Sequence, residues 1–418
     1  MSKLATLLSQ PSETQMPSVK GSFFESYGVL RNPFPPNRTI VPEVLYDQAT
    51  AWRKFENLFR EMVQSDYPER RAMGIIGGTG GGKTHFLRHC QWEVEDFCRQ
   101  SGRRFVVAEF QAGSGKVQDI VRNTLWAADA FCRSGHESGA VSESDFATAI
   151  VRALEKSDEK LDDVQQEDLR SALRHLKHST EPGFQPAGRG GQYDFETLRD
   201  LFRRWLDGST LNPTERKYLG VSSRVSTASM AARLLREVFT LARSLDIIEG
   251  IVLCLDEVET LFTSGQRPAK YQAFLQDLRY LYDESLRNNS GYSLLMLSAS
   301  TPLGAENLRD VNYPVYQRLG FEGGARTELA PISGVVDARD FAYEYIDFAH
   351  RQWKAKTPSQ QSSRNPRALL SEKEIEEAYR SALAATDATQ RREGQVYQAS
   401  LLDALYRKVE EKVTSESV

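Results

Sequence analysis

The stretch MGIIGGTGGGKTHFL, residues 73–87, decides the fold. An apolar run breaks into glycines and ends in a lysine and a threonine. Gly77, Gly78, Thr79, Gly80, Gly81, Gly82, Lys83 and Thr84 satisfy the pattern GxxxxGK[ST] without adjustment. Each part has a chemical reason. Glycines let successive backbone N–H groups turn inward around a phosphate, because a Cβ would block the approach. A helix opening near Lys83 adds the positive end of its dipole. Lys83 reaches the β- and γ-phosphates and the Thr84 hydroxyl ligates Mg2+. His85 follows as the next member of the nucleotide-contacting set. A glycine-rich turn with a chance lysine is the bland alternative, and it needs neither the strand before nor the helix after. The similar GSGK at 113–116 lacks the spacing and reads as a loop.

Holding a nucleotide is not hydrolysing it. IVLCLDEVETL (251–261) supplies the second half: an apolar strand with Asp256 and Glu257 at its C-terminal end. An Asp there holds the water shell of Mg2+, and a following Glu can polarise an attacking water. GTPases usually lack that Glu, so ATP is the expected nucleotide. The bland alternative is a strand end capped by solvated acids. A catalytic Glu implies a strand inserted between the one before the glycine loop and the one carrying Asp256. YSLLMLSASTP (292–302) fits that role. Its polar end would sense the γ-phosphate through Thr301, with Ser298 and Ser300 as alternatives.

The chain has 418 residues, 40% of them hydrophobic, enough for a sizeable core with added modules. A net charge of -4 excludes a global basic field, so any nucleic-acid contact needs a local patch. The strips GRRF (102–105) and LRDLFRRW (198–205) are the candidates, with a solvated face as the bland reading of either. Cys90, Cys98, Cys132 and Cys254 show no CxxC spacing, which fits buried thiols in a reducing compartment. No signal peptide or membrane-spanning run is legible, so a cytoplasmic location without membrane contact is expected. His85 and His89 precede Cys90, but no HExxH glutamate accompanies them and a metal site is not expected.

The organisation expected is a flexible tail at 1–22 and a nucleotide-binding domain at 23–335. A helical insertion at about 113–245 interrupts that domain, and a helical lid follows at 336–418. Ala72–Gly77 and RRFVVAEF (103–110) read as strands flanking a helix, and RTELAPI (326–332) as a fifth strand. No internal repeat is found.

Taken together, these elements resemble the AAA+ branch of P-loop ATPases. In that branch an arginine beyond the sensor strand enters the neighbouring subunit's site, and in NYPVYQRLGFEG (312–323) Arg318 matches it, with Arg309 as the rival. The segment SYGVLRNPF…LYDQATAWRKF resembles the one before the P-loop in ExeA-like secretion ATPases, transposition AAA+ proteins and Cdc6/ORC-type loaders. There it lies against the adenine, which by position implies Ile40 and Val41 here. A closer match runs through FRRWLDGSTLNPTERKYLGV, KYQAFLQDLRYLYDES, SASTP and YPVYQRL. This order is similar to the ATP-binding proteins of BREX-type phage-defence systems, with their RWLxG, LGV, DExE, TP and QRL landmarks. Two departures are LGAEN after the TP pair, where a bulkier aromatic segment is expected, and the lack of a clear sensor-2 arginine. Arg391 or Arg392 is the nearest match for the latter.

The resemblance implies an α/β P-loop NTPase of the AAA+/ASCE type. Its three-layer parallel sheet carries a large helical insertion and a C-terminal helical lid. ATP with Mg2+ would be hydrolysed through Glu257 in a homo-oligomer whose Arg318 acts in trans. DNA and other proteins of a defence operon are the implied partners. The alternatives are a nucleotide-gated DNA-binding adaptor of a transposition-type system and a slow-turnover signalling scaffold.

Overall fold

The two unbroken apolar runs, GIVLCLD and SLLMLSAS, become the inner strands of a five-stranded sheet in which every residue of both is buried. The computed structural model describes residues 19–35, 39–112, 116–134, 145–181, 194–262, 268–287, 290–386 and 393–416. The strands are β1 (Arg70–Ile76), β2 (Phe105–Gln111), β3 (Gly250–Asp256), β4 (Ser293–Ser300) and β5 (Arg326–Glu328). Their spatial order is β2-β3-β4-β1-β5, and every pairing is parallel. Parallel strands need crossovers that cover both faces, so continuous apolar sequence rather than alternation marks the centre.

In register, Arg70 to Ile76 face Leu294 to Ser300, and Gly250 to Leu255 face Ser293 to Ser298. The strand ending in SAS therefore lies between the strand before the glycine loop and the strand ending in Asp256, as expected. The chain has an α/β fold built on a five-stranded parallel sheet, and RTELAPI contributes the fifth strand through Arg326–Glu328.

Helices flank this sheet: α1 (Ala49–Gln64), α2 (Lys83–Ser101), α3 (Val117–Arg133), α4 (Phe146–Leu154), α5 (Glu167–His178), α6 (Phe195–Leu206), α7 (Pro213–Leu219) and α8 (Ala228–Ser244). They continue with α9 (Pro268–Glu284), α10 (Pro302–Val311) and α11 (Tyr313–Arg318). The run from α3 to α8 lies between β2 and β3 and is the helical insertion. Local chemistry sets its boundaries. Asp194 caps α6 by accepting from the Thr197 amide. Asn212 and Glu215 close a reciprocal capping box around Pro213 at the start of α7, and Gly220 ends it with a left-handed φ of 76°. Asp168 accepts four bonds from the amides and hydroxyls of Ser222 and Ser223. Burial opposes its charge, but these bonds outweigh it and hold the carboxyl below the usual range.

By contact, the described chain divides into two compact units. One comprises Gln48–Thr79 and Lys83–Leu329, and the other Met1–Asp47, Gly80–Gly82 and Ala330–Val418. The described part of the segment before residue 48, expected with the nucleotide-binding domain, shares its core with the C-terminal helices. Phe23, Phe24, Tyr27, Val29 and Phe34 are buried with Phe341, Tyr345 and Leu369. Tyr27 also takes a hydrogen bond from the Arg364 guanidinium at 2.6 Å, and the Ser26 carbonyl accepts from the Arg364 amide at 2.8 Å. An aromatic-rich segment between prolines has too little surface to bury alone, so it joins the largest apolar face within its reach. Helices α12 (Val335–Lys356), α13 (Glu372–Ala384) and α14 (Gln398–Glu416) complete this unit. Arg391 and Arg392 lie outside the described residues, as do 1–18 of the expected tail.

The tryptophan of the RWLxG landmark is the anchor of α6. Trp205 is 1% exposed and its indole N–H donates to the Ser223 carbonyl at 3.1 Å. Trp205→Ala removes a large buried ring and should destabilise the protein by about 3–5 kcal/mol. Circular dichroism in urea should show the unfolding midpoint fall well below that of Trp126→Ala, whose ring is 48% exposed. Equal midpoints for the two variants would mean that the insertion does not depend on this anchor.

Candidate functional site

The site is built where β1, β3 and β4 end. Gly77 still donates its amide to the Ser300 carbonyl at 3.2 Å, so the glycine loop leaves the sheet tied to β4. Gly80 and Gly82 take φ values of 80° and 86°, a region closed to most side chains. Helix α2 then opens at Lys83, which is 8% exposed. A buried ammonium must be compensated. The Lys83 Nζ donates to the carbonyls of Gly77 at 3.0 Å and Gly78 at 3.2 Å, and lies 3.4 Å from a Glu259 carboxylate oxygen.

One residue further on, the Thr84 hydroxyl donates to Asp256 Oδ2 at 2.6 Å across 172 positions of sequence. Asp256 is 1% exposed, and its other oxygen accepts from the Glu257 amide at 2.9 Å. Hydroxyl and carboxylate are both hard oxygen donors, a set that suits Mg2+ together with phosphate oxygens and water. The residues present therefore fit the ion.

Glu257 leaves β3 with a φ of 56°. For a non-glycine residue this backbone costs on the order of 1–3 kcal/mol and persists only where the surroundings hold it. Here Thr260 holds it, donating its amide and hydroxyl to the Glu257 carbonyl at 2.9 and 2.7 Å. The turn leaves the Glu257 side chain exposed at the end of the sheet, directly after the buried Asp256.

Thr301 follows β4 and is half-buried. Its hydroxyl caps α10 by accepting from the Gly304 amide at 3.1 Å, and its own amide donates to Glu259 Oε2 at 3.1 Å. Ser298 and Ser300, the alternatives, are fully buried and their hydroxyls have no hydrogen-bond partner. Enclosed within the strand, they do not face outward as Thr301 does. Glu259 is the residue that local reading missed. Its only sequence signal is the third acid of DEVE, within the DExE landmark, and nothing in that spacing tells that it meets both Lys83 and Thr301.

Arg318 ends α11 and its Nε donates to Asp283 at 2.8 Å, while Nη1 donates to the Pro314 carbonyl at 3.0 Å. Arg70, the first residue of β1, donates to the Asp283 carbonyl at 3.0 Å. Arg318 thus belongs to the edge where strands begin, whereas Lys83 lies beyond the edge where they end. Arg309, its rival, is exposed beside Asp310. Ile40 and Val41 line a cavity of about 830 Å3 with Phe24, Phe348 and Tyr406, all residues of the unit containing the C-terminal helices.

Both arginine strips carry internal counter-charges, which removes the local patches read from sequence. Arg103 pairs with Glu249 at 2.6 Å, and Arg104 with Asp246 and Glu249. In α6, Arg199 pairs with Asp145 at 3.1 Å, Arg203 with Asp129 at 3.3 Å and Arg204 with Glu215 at 3.1 Å. Tertiary neighbours supply most of these acids, which is why the strips look bare in one dimension.

His89 packs against the Trp52 ring and lies 3.8 Å from Glu93. Among the described residues no His, Cys, Asp or Glu cluster could hold a metal ion by itself. Burial pushes the Cys254 thiol up to about 12 and the Cys90 thiol well above its ordinary value, so both stay neutral. No helix of the described residues is long and apolar enough to cross a membrane.

Comparison with known proteins bears out the resemblance over part of the chain. The family described as BREX system ATP-binding protein BrxC/D matches residues 138–333. This stretch holds Asp256, Glu257, Glu259, Thr301 and Arg318 but not the glycine loop. The ORC2 protein of Aeropyrum pernix, solved as ADPNP-ADP complexes, is similar at 12% identity. That match covers 93% of this chain and 72% of that one, with a TM-score of 0.41. The ORC1 protein of the same organism, solved in complex with DNA, is 14% identical over 92% and 70% of the two chains, with a TM-score of 0.35. No curated protein matches the chain.

Proposed function

We propose that this chain binds ATP with Mg2+ at Gly77–Thr84, hydrolyses it through Glu257, and works with partner proteins on DNA in bacterial phage defence. The observation that carries the reading is the meeting of Lys83, Thr84 and Asp256 at one end of the sheet, with Glu257 next in line. Lys83 exchanges the carbonyls of Gly77 and Gly78 for β- and γ-phosphate oxygens. Thr84 and Asp256 are the residues that would hold Mg2+, which when bound neutralises phosphate charge. Glu257 accepts the proton of the attacking water, and Thr301 donates to the terminal phosphate. Gly77, Gly78, Thr79, Gly80, Gly81, Gly82 and His85 complete the phosphate contacts, and Ile40 and Val41 the adenine side.

Arg318 is assigned to a neighbouring subunit's site in a homo-oligomer. Its pairing with Asp283, at the edge where strands begin, supports a role outside its own site. The match to the BREX ATP-binding family supports ATP as the nucleotide and a defence system as the setting. Both arginine strips are internally paired, so a single subunit offers DNA few free cations. Contact would need several subunits, each adding a few phosphate contacts.

Two variants test the chemistry. Lys83→Ala should lose binding of a labelled ATP analogue. Glu257→Gln should bind it normally and turn over ATP at least about 100-fold slower, the usual contribution of a general base. Unchanged affinity in the first would displace the binding site, and near wild-type turnover in the second would remove Glu257 from the mechanism.

Arg318→Ala should bind nucleotide and lose hydrolysis, by about 10³-fold or more if it acts as arginine fingers do. Mixing it with Lys83→Ala subunits should restore some turnover, since intact loop and intact arginine then meet. If no ratio recovers activity in co-assembled protein, the residue does not act in trans.

DNA affinity, measured with a non-hydrolysable ATP analogue at two salt concentrations, should exceed that with ADP and fall steeply with salt as counterions are released. An intact oligomer that binds DNA in no nucleotide state would leave a protein-directed ATPase.

A further inference from the structure

The Glu259 carboxylate is shared between two elements of the site. One oxygen lies 3.4 Å from Lys83 Nζ, and the other accepts the Thr301 amide at 3.1 Å. The lysine side chain is 9% exposed and that of Glu259 22%, so water screens the pair weakly. The backbone around Glu259 has little room to move. A Cβ added at Gly304 would lie 2.4 Å from Glu259 Cβ, so only a glycine lets α10 approach this closely. Glu259 sits in the short 3-10 turn Val258–Phe262, directly after the left-handed Glu257. Any adjustment falls to the side chain and to its two bonds.

A carboxylate in that position is an internal stand-in for phosphate. It presents an anionic oxygen to the same ammonium that a terminal phosphate would claim. A bound γ-phosphate and Glu259 would be like charges competing for one cation, and like charges near each other are disfavoured. The second oxygen makes the competition felt at the end of β4. If Glu259 turns away from Lys83, its bond to the Thr301 amide is disturbed as well. Thr301 caps α10, which carries Leu303 at 67% exposure.

We propose that Glu259 is a positioning residue that competes with the terminal phosphate for Lys83, lowers the preference for ATP over ADP, and ties the outcome to Thr301. The proposal rests on the glycine loop being the nucleotide site. It is distinct from the role given to Glu257, whose side chain is exposed rather than paired with the lysine.

The test is the affinity of the full-length protein for a fluorescent non-hydrolysable ATP analogue and for fluorescent ADP, in wild type and in Glu259→Gln. Glutamine keeps an acceptor for the Thr301 amide and removes the charge. The ratio of ATP-analogue to ADP affinity should rise about tenfold, because the γ-phosphate adds the charge that Glu259 opposes. A residue that only supports the fold would move both affinities together and leave the ratio unchanged. An unchanged or lowered ratio overturns the proposal. Should Glu259→Gln fail to fold, Glu259→Asp keeps the charge and withdraws it from Lys83; the ratio must again rise, and a constant ratio again overturns it. Wild-type protein that binds neither nucleotide would overturn the site itself, an outcome distinct from a wild type that binds both and a variant with an unaltered ratio.

Discussion

Strand β4, Ser293–Ser300, has no exposed residue and is hydrogen-bonded on both sides, to β1 and to β3. It holds those two strands about 10 Å apart, twice the spacing of neighbouring strands. The glycine loop leaves β1 and the acidic pair leaves β3, so the start of α2 must lean across the end of β4 for Thr84 to reach Asp256. The 2.6 Å bond between them is the product of that geometry. Thr301 leaves the strand that separates the two halves, which is how Glu259 comes to touch both it and Lys83.

Charge compensation is the second theme. A buried lysine and a buried aspartate would each be costly if unpaired. Lys83 is met by two carbonyls and a carboxylate, and Asp256 by a hydroxyl and an amide. These are polar partners that a phosphate or a cation could replace, so the same contacts that stabilise the fold keep the site ready for exchange. The principle extends to the arginines. In a chain with a net charge of -4, Arg103, Arg104, Arg199, Arg203, Arg204 and Arg318 each have a carboxylate within the same unit.

The insertion between β2 and β3 follows more local rules. Its helices bury one face each, Leu198, Phe202 and Trp205 on α6 and Leu169, Leu173 and Leu176 on α5. The bounds of α6 and α7 within it are set by Asp194, Asn212, Pro213 and Gly220. Helical spacing and capping chemistry are short-range, so they could be seen in one dimension.

What the sequence by itself determined is whatever rests on short spacing. The glycine loop needs its residues within eight positions, the Asp256–Glu257 pair needs them adjacent, and the buried strands need runs of apolar residues. The place of β4 between β1 and β3 followed as well, because an acidic pair of that kind after β3 implies an intervening strand. Only the tertiary structure decided which distant charges meet. Glu259 reaches Lys83 across the end of the sheet, Arg318 is taken by Asp283, and the arginine strips are met by acids from other elements. The segment from Phe23 to Val44 packs with helices more than 280 residues further on. These pairings depend on folded distance, and a carboxylate carries no local mark of the cation it will meet.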